Sequence, residues 1–188
     1  ITLELPRQSN DSVLRRKISW LCHLIRWLVV VWLAWQFYVN FQELIWNGPG
    51  VTAVQWGKNW GLKDGSISSA GIWLNHAIVL VNWSVAAAMG VAVWGLMRVY
   101  LAGSILSVEA ARRLRLVGLT GLAAATAEVV LRPFMLGALS MDIVRMIPAQ
   151  NWVDPRDVLY FVIAFFALSL GHIQGTAAAI SDEHKQFV

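Results

Sequence analysis

Apolar residues run in four long blocks, with the polar residues gathered between them. The first block is Ile18 to Phe41, ISWLCHLIRWLVVVWLAWQFYVNF. The second is Gly71 to Met97, GIWLNHAIVLVNWSVAAAMGVAVWGLM. The third covers about Leu114 to Leu139 and is interrupted by Glu128 and Arg132. The fourth runs from Val158 to about Gly175. A helix that crosses a bilayer needs about 20 apolar residues, roughly 17–25. All four blocks qualify, the fourth as the shortest. The pattern therefore predicts an all-α integral membrane protein with one membrane domain over residues 1–188. Its four transmembrane helices form a bundle, with spans at about 18–41, 71–97, 114–139 and 158–175 and tails at 1–17 and 176–188. A long outer loop is expected between helices 1 and 2, and a basic cytoplasmic turn between helices 2 and 3. The first seventeen residues are polar and no small-residue cleavage site follows a short apolar core, so the first span reads as a retained anchor. The chain begins at Ile1 without an initiator methionine, which leaves room for native residues before it.

Composition points the same way. The chain is 57% hydrophobic and 14% charged, against about 25% charge in a soluble domain. Its mean hydropathy is +0.57. Eleven tryptophans suit a protein that meets the membrane interface, where an apolar ring with a polar edge is favoured. Cys22 is the single cysteine, so no intrachain disulfide forms and the residue says nothing of redox compartment.

Charge sets the expected orientation. Lysine and arginine concentrate on the cytoplasmic side, close to the spans. Arg7, Arg15, Arg16 and Lys17 precede the first span, and Arg98, Arg112, Arg113 and Arg115 lie between the second and third. The segment from Gln42 to Ala70 holds only Lys58 and Lys63, and the Ser140 to Asp157 segment sets Arg145 and Arg156 against Asp142, Asp154 and Asp157. Both termini are thus expected in the cytoplasm. Arg26, inside the first span near its cytoplasmic end, is within snorkelling reach of the headgroups. The net charge of +4 is an orientation signal and does not imply direct nucleic-acid binding. In the basic turn, Gly103 marks the bend, Ser107 suits an N-cap and Glu109 falls in the first turn of the next helix. The plainer reading of the four arginines is an anchor on anionic lipid; docking of a soluble partner is the other.

Residues 96–122, LMRVYLAGSILSVEAARRLRLVGLTGL, resemble the signature of an uncharacterised bacterial membrane family, domain of unknown function 2975. Tyr100, Gly103, Ser107, Arg112, Arg113 and Gly118 fill its pattern, and the C-terminal GTAAAISDEHKQFV is similar to the family's ending. The resemblance implies four membrane helices and, for some members, genes beside small helix-turn-helix regulators. It implies no catalytic residues.

Motifs for catalysis are missing from the sequence. The glycines of GLTGL and GPG are not followed by Lys-Ser/Thr, and no G-x-S-x-G or H-E-x-x-H occurs. WLNHA and SDEHK lack the paired spacing of a zinc helix. A non-enzymatic protein without a metal site is expected. Glu128 and Arg132, four apart in the third span, suit an ion pair on one helix face, with Pro133 expected to kink or end the helix. A neutralised structural pair is one reading; a gate, proton site or partner contact is the other. His23 and His172 fall near the cytoplasmic ends of spans one and four, and His76 near the opposite face. They are candidate ligands for haem or bacteriochlorophyll, with polar anchoring as the plainer reading. Trp20, Trp73 and Trp152 sit where aromatic belts sit. Trp27, Trp32, Trp35, Trp83 and Trp94 are deeper, and some must face outward from a four-helix bundle towards lipid or a neighbouring protein. Ala86, Ala88, Gly90 and Ala92 suit close helix approach in span two.

Beyond the lipid bilayer itself, other membrane proteins are the expected partners. The leading expectation is an accessory subunit of a larger inner-membrane complex, respiratory or photosynthetic. The alternatives are a membrane-tethered sensor paired with a cytoplasmic helix-turn-helix regulator, and a small transporter or a haem- or bacteriochlorophyll-binding protein.

Overall fold

The computed structural model describes residues 8–59, 67–105, 107–146 and 153–186, and these are helical almost throughout. The elements are α1 (Gln8–Asn59), α2 (Ser69–Leu101), α3 (Val108–Leu139), α4 (Met141–Met146) and α5 (Pro155–Gln186). α1, α2, α3 and α5 each contain a stretch long and apolar enough to cross a membrane. The chain is an all-helical, multi-pass membrane protein. Arg7, Lys63 and Trp152 lie outside the described residues.

The helices overrun the apolar blocks. A helix of 32 residues, such as α3 or α5, is about 48 Å long, against about 30 Å of hydrocarbon. Polar turns therefore continue the helix beyond the bilayer. Residues 176–186, expected as a tail, extend α5. Much of the expected outer segment is itself helical: α1 is two helices joined across a kink at Gly48 (φ 71°, ψ 169°), with Pro49 opening the second, which runs to Asn59. Positive φ favours glycine, and proline suits a first helical turn where its missing N–H is not needed. Thr52 Oγ1 donates to the Gly48 carbonyl at 2.8 Å, and the Trp56 indole N–H donates across the bend to the Glu43 carboxylate. The turned segment covers one end of the protein, where Ala53, Ile67, Ile72, Leu139 and Ile143 form a buried cluster. We call this the capped end, and the end carrying Arg98 and Arg112 the basic end.

At the basic end the local expectations hold. Gly103 has φ 84°, and its N–H bonds the Tyr100 carbonyl at 3.0 Å. Ser107 caps α3, its hydroxyl accepting from the Ala110 N–H at 3.1 Å, with Glu109 in the first turn. Pro133 lies within α3 without ending it.

The spans pack in chain order: α1 on α2, α2 on α3, and α3 on α5. Among the described residues no α1 Cα comes within 8 Å of an α5 Cα. The bundle is therefore an open arc whose edges are α1 and α5. Its tightest seam joins α3 to α5. Ala111, Gly118 and Ala125 are buried on α3, and Asp157, Ala164, Gly171 and Ala178 on α5. Both series step by seven residues, the repeat of helices that cross at a shallow angle. In lipid such seams depend on close backbone approach through small side chains. Gly90 makes the corresponding contact of α2 with Val29 and Leu33 of α1.

Candidate functional site

The strongest polar contact between spans starts from the tetrapeptide Asp154-Pro155-Arg156-Asp157. Pro155 is the first residue of α5. Asp154 Oδ1 accepts from the Arg156 N–H at 2.8 Å, and Asp157 Oδ2 accepts from the Asp154 N–H at 2.7 Å. This is a variant of the capping box, in which the cap side chain takes the second helical N–H and the Asp157 carboxylate takes the N–H of the cap. The Arg156 side chain, then its N–H, hold the Asp154 carboxyl down at about 2. The cap therefore stays charged through neutral and mildly acidic pH. Asp157, 2% exposed, also takes Arg132 of α3 with both oxygens, at 2.8 and 2.9 Å. This corrects the self-contained Glu128–Arg132 pair: Glu128 Oε1 stands 3.6 Å from Arg132, and the tighter partner comes from α5. Here the carboxylate facing Arg132 across the seam meets both prongs of its guanidinium fork, and Glu128 one turn away does not.

Glu128 turns instead towards the concave side of the arc. Its Oε2 accepts from the Asn82 amide of α2 at 2.5 Å. Together they line a cavity of about 480 Å³ to which all four spans contribute, including Trp32 and Gln36 of α1, Trp83 of α2 and Tyr160 of α5. Since α1 and α5 do not close on each other, the cavity is a groove between the two edge helices.

The other sequence candidates are dispersed. Trp83 and Trp94 do not form an outward face. Trp83 donates its indole N–H to the Leu33 carbonyl at 3.1 Å and meets Phe37 edge-on at 5.4 Å. Trp94 lies beneath the Arg26 guanidinium at 3.8 Å. Both rings belong to the α1–α2 seam, because the arc sets that face of α2 against α1. Arg26 accordingly finds an aromatic face, a contact worth about 0.5–2 kcal/mol. Trp27, Trp32 and Trp35 are exposed on α1.

The four-arginine patch is also divided. Arg98 and Arg112 are exposed. Arg113 pairs with Glu109 at 2.7 Å. Arg115 packs over Gly171 and Gly175 of α5. His23 and His172 are exposed on α1 and α5, which do not pack together. His76 is 3% exposed, with Phe41 and Trp56 around it at 5.6 and 5.7 Å. Its Nδ1 lies 2.8 Å from the Ile72 carbonyl, so Nδ1 carries the proton. Its Nε2 is buried without a partner. No two of the three imidazoles converge, and the buried Nε2 offers a flat macrocycle no approach. Among the described residues no group of three or more His, Cys, Asp or Glu side chains could hold a metal.

Sequence reasoning missed Asn82, Gln36, Tyr160 and the role of Asp157. The Asp-Pro-x-Asp spacing was a readable helix start; the others carried no local signal. Comparison with models of protein families, with curated proteins and with solved structures finds no match for this chain.

Proposed function

We propose that this chain is a non-enzymatic subunit of a larger assembly in the bacterial inner membrane, seated there through the free face of α1. One observation carries the reading. Trp20, Leu24, Trp27, Val31, Trp35 and Tyr38 follow at steps of four, three, four, four and three residues, which aligns them on one side of the helix. All six are exposed, Trp20, Trp27 and Trp35 by 63–64%. α1 is an edge helix packed on α2 alone, so none of the packed helices covers the stripe. Its steps are those of a helix–helix seam, and rigid aromatic rings are the usual anchors of such contacts. Lipid contact requires apolar residues but no register. The fitting occupant is a transmembrane helix of another protein.

Replacing Trp20, Trp27 and Trp35 together by Leu keeps α1 apolar and is expected to leave insertion intact. In gentle detergent the wild type should travel with its partner, and the triple variant alone. A wild type that itself runs as a free 20.9 kDa chain, with no partner cross-linked through α1, refutes the reading.

The basic residues before the first span and between the second and third support cytoplasmic termini. A cytoplasm-dependent reporter is expected to give signal after Val188 and after Ala110 and none near Gly61; signal at Gly61 would overturn this orientation. The proposed kinship with domain of unknown function 2975 draws on residues 96–122 and on the C-terminal GTAAAISDEHKQFV. Three residues of that pattern have structural tasks here: Gly103 in the turn, Ser107 at the cap and Gly118 at the α3–α5 seam.

A further inference from the structure

We infer that the groove between α1 and α5 is a binding site for a lipophilic organic cation, held by the Glu128 carboxylate among the rings of Trp32, Trp83 and Tyr160. The charge count comes first. Two carboxylates share one guanidinium at this level. Asp157 holds Arg132 by two bonds at 2.8 and 2.9 Å, whereas Glu128 stands 3.6 Å away. Asp157 is 2% exposed, and the Glu128 side chain is 40% exposed. The accessible member is thus the surplus acid. Among the described residues, none of those lining the groove is Lys, Arg or His. Glu128 keeps only the looser 3.6 Å contact with Arg132, and a carboxylate within a membrane span is costly when its charge is incompletely met.

The walls add selectivity. Three of the four spans bring an aromatic ring to the cavity, and aromatic faces attract organic cations, most strongly where water is excluded. The remaining lining is mostly apolar, as in small-molecule sites, and about 480 Å³ falls within the usual range of roughly 300–1,000 Å³. The open side between α1 and α5 gives a lipophilic molecule entry from the bilayer. Glu128 lies eleven residues before the end of α3 at Leu139, about 16 Å along the axis. The mostly apolar lining and the open side towards the bilayer fit a membrane-permeant cation. The site does not use the exposed α1 stripe, so the two proposals stand or fall separately.

The test uses the full chain in nanodiscs with tetraphenylphosphonium as the probe and tryptophan fluorescence as the readout. Saturable binding is expected, with none for tetraphenylborate, which has the same shape and the opposite charge. Glu128→Gln should weaken binding at least about tenfold and Tyr160→Leu about threefold, through the lost ion pair and ring contact. Ala124→Leu leaves the carboxylate in place and fills the groove. It should also abolish binding, which keeps the test decisive if Glu128→Gln fails to fold. The Trp20/Trp27/Trp35 variant should bind as wild type does. Non-saturable uptake that is equal in wild type, Glu128→Gln and Ala124→Leu shows bilayer partition only and overturns the site. Equal saturable binding of tetraphenylborate overturns its charge selectivity.

Discussion

Asp157→Ala is expected to lower the stability of the folded protein by about 3–5 kcal/mol, the usual cost of leaving one member of a buried ion pair alone. That is a large part of the roughly 5–15 kcal/mol by which proteins are stable. The loss is large because one carboxylate does two things. It closes the capping box at the start of α5 and holds Arg132 by two bonds across the α3–α5 seam. Arg132→Met should cost a similar amount. The double variant Arg132→Met/Asp157→Leu should recover much of it, since an ion pair replaced as a unit by apolar side chains is often nearly neutral. Glu128→Gln, by contrast, keeps an oxygen for the Asn82 amide and gives up only the 3.6 Å contact, so its cost should stay below about 1 kcal/mol. Thermal unfolding in detergent reads all four variants. Additive losses for Arg132 and Asp157 would show that the two side chains do not meet.

Gly118→Ala should destabilise by about 1–3 kcal/mol, as overpacking of a tight interior does, and Gly118→Val by more. A Cβ at position 118 would lie 2.7 Å from the Leu168 backbone nitrogen and 2.8 Å from its Cα. Backbone atoms cannot rotate aside as a side chain would, so α3 and α5 must separate. Loss of helix contact in lipid removes the packing that holds the spans together. Gly50→Ala is the matched control. Nothing lies within 4 Å of a Cβ there, and an alanine in the helix should gain up to about 1 kcal/mol. An unchanged melting temperature in Gly118→Ala would mean that α5 does not sit where the structure places it.

The sequence by itself determined how many spans there are and which residues belong to them. Continuous apolar blocks of about 20 residues have one stable solution in lipid, a helix that satisfies its own backbone. It also announced the basic turn, because a left-handed glycine and a serine cap act within a few residues of chain. The Asn-Gly-Pro-Gly at 47–50 shows the limit of local signals. The same residues suit a loop or a kinked helix, and here the helix resumes because Ala53 and Trp56 pack with Ile72, Leu139 and Ile143.

Everything that depends on which helix neighbours which was left to the tertiary structure. Glu128 and Arg132 were legible as neighbours on one helix. Arg132's better partner is 25 residues away and Glu128's is 46, and no helical period links them. Trp83 and Trp94 share a face in the sequence, but only the order of packing shows that α1 covers that face. The groove exists because the arc stays open between α1 and α5. Hydropathy is nearly uniform around α2 and α3, since lipid and protein interior are similarly apolar. The chain could therefore specify which helices enter the membrane, while close approach at Gly90, Gly118 and Gly171 and the charges at Arg132 and Asp157 decided how they assemble.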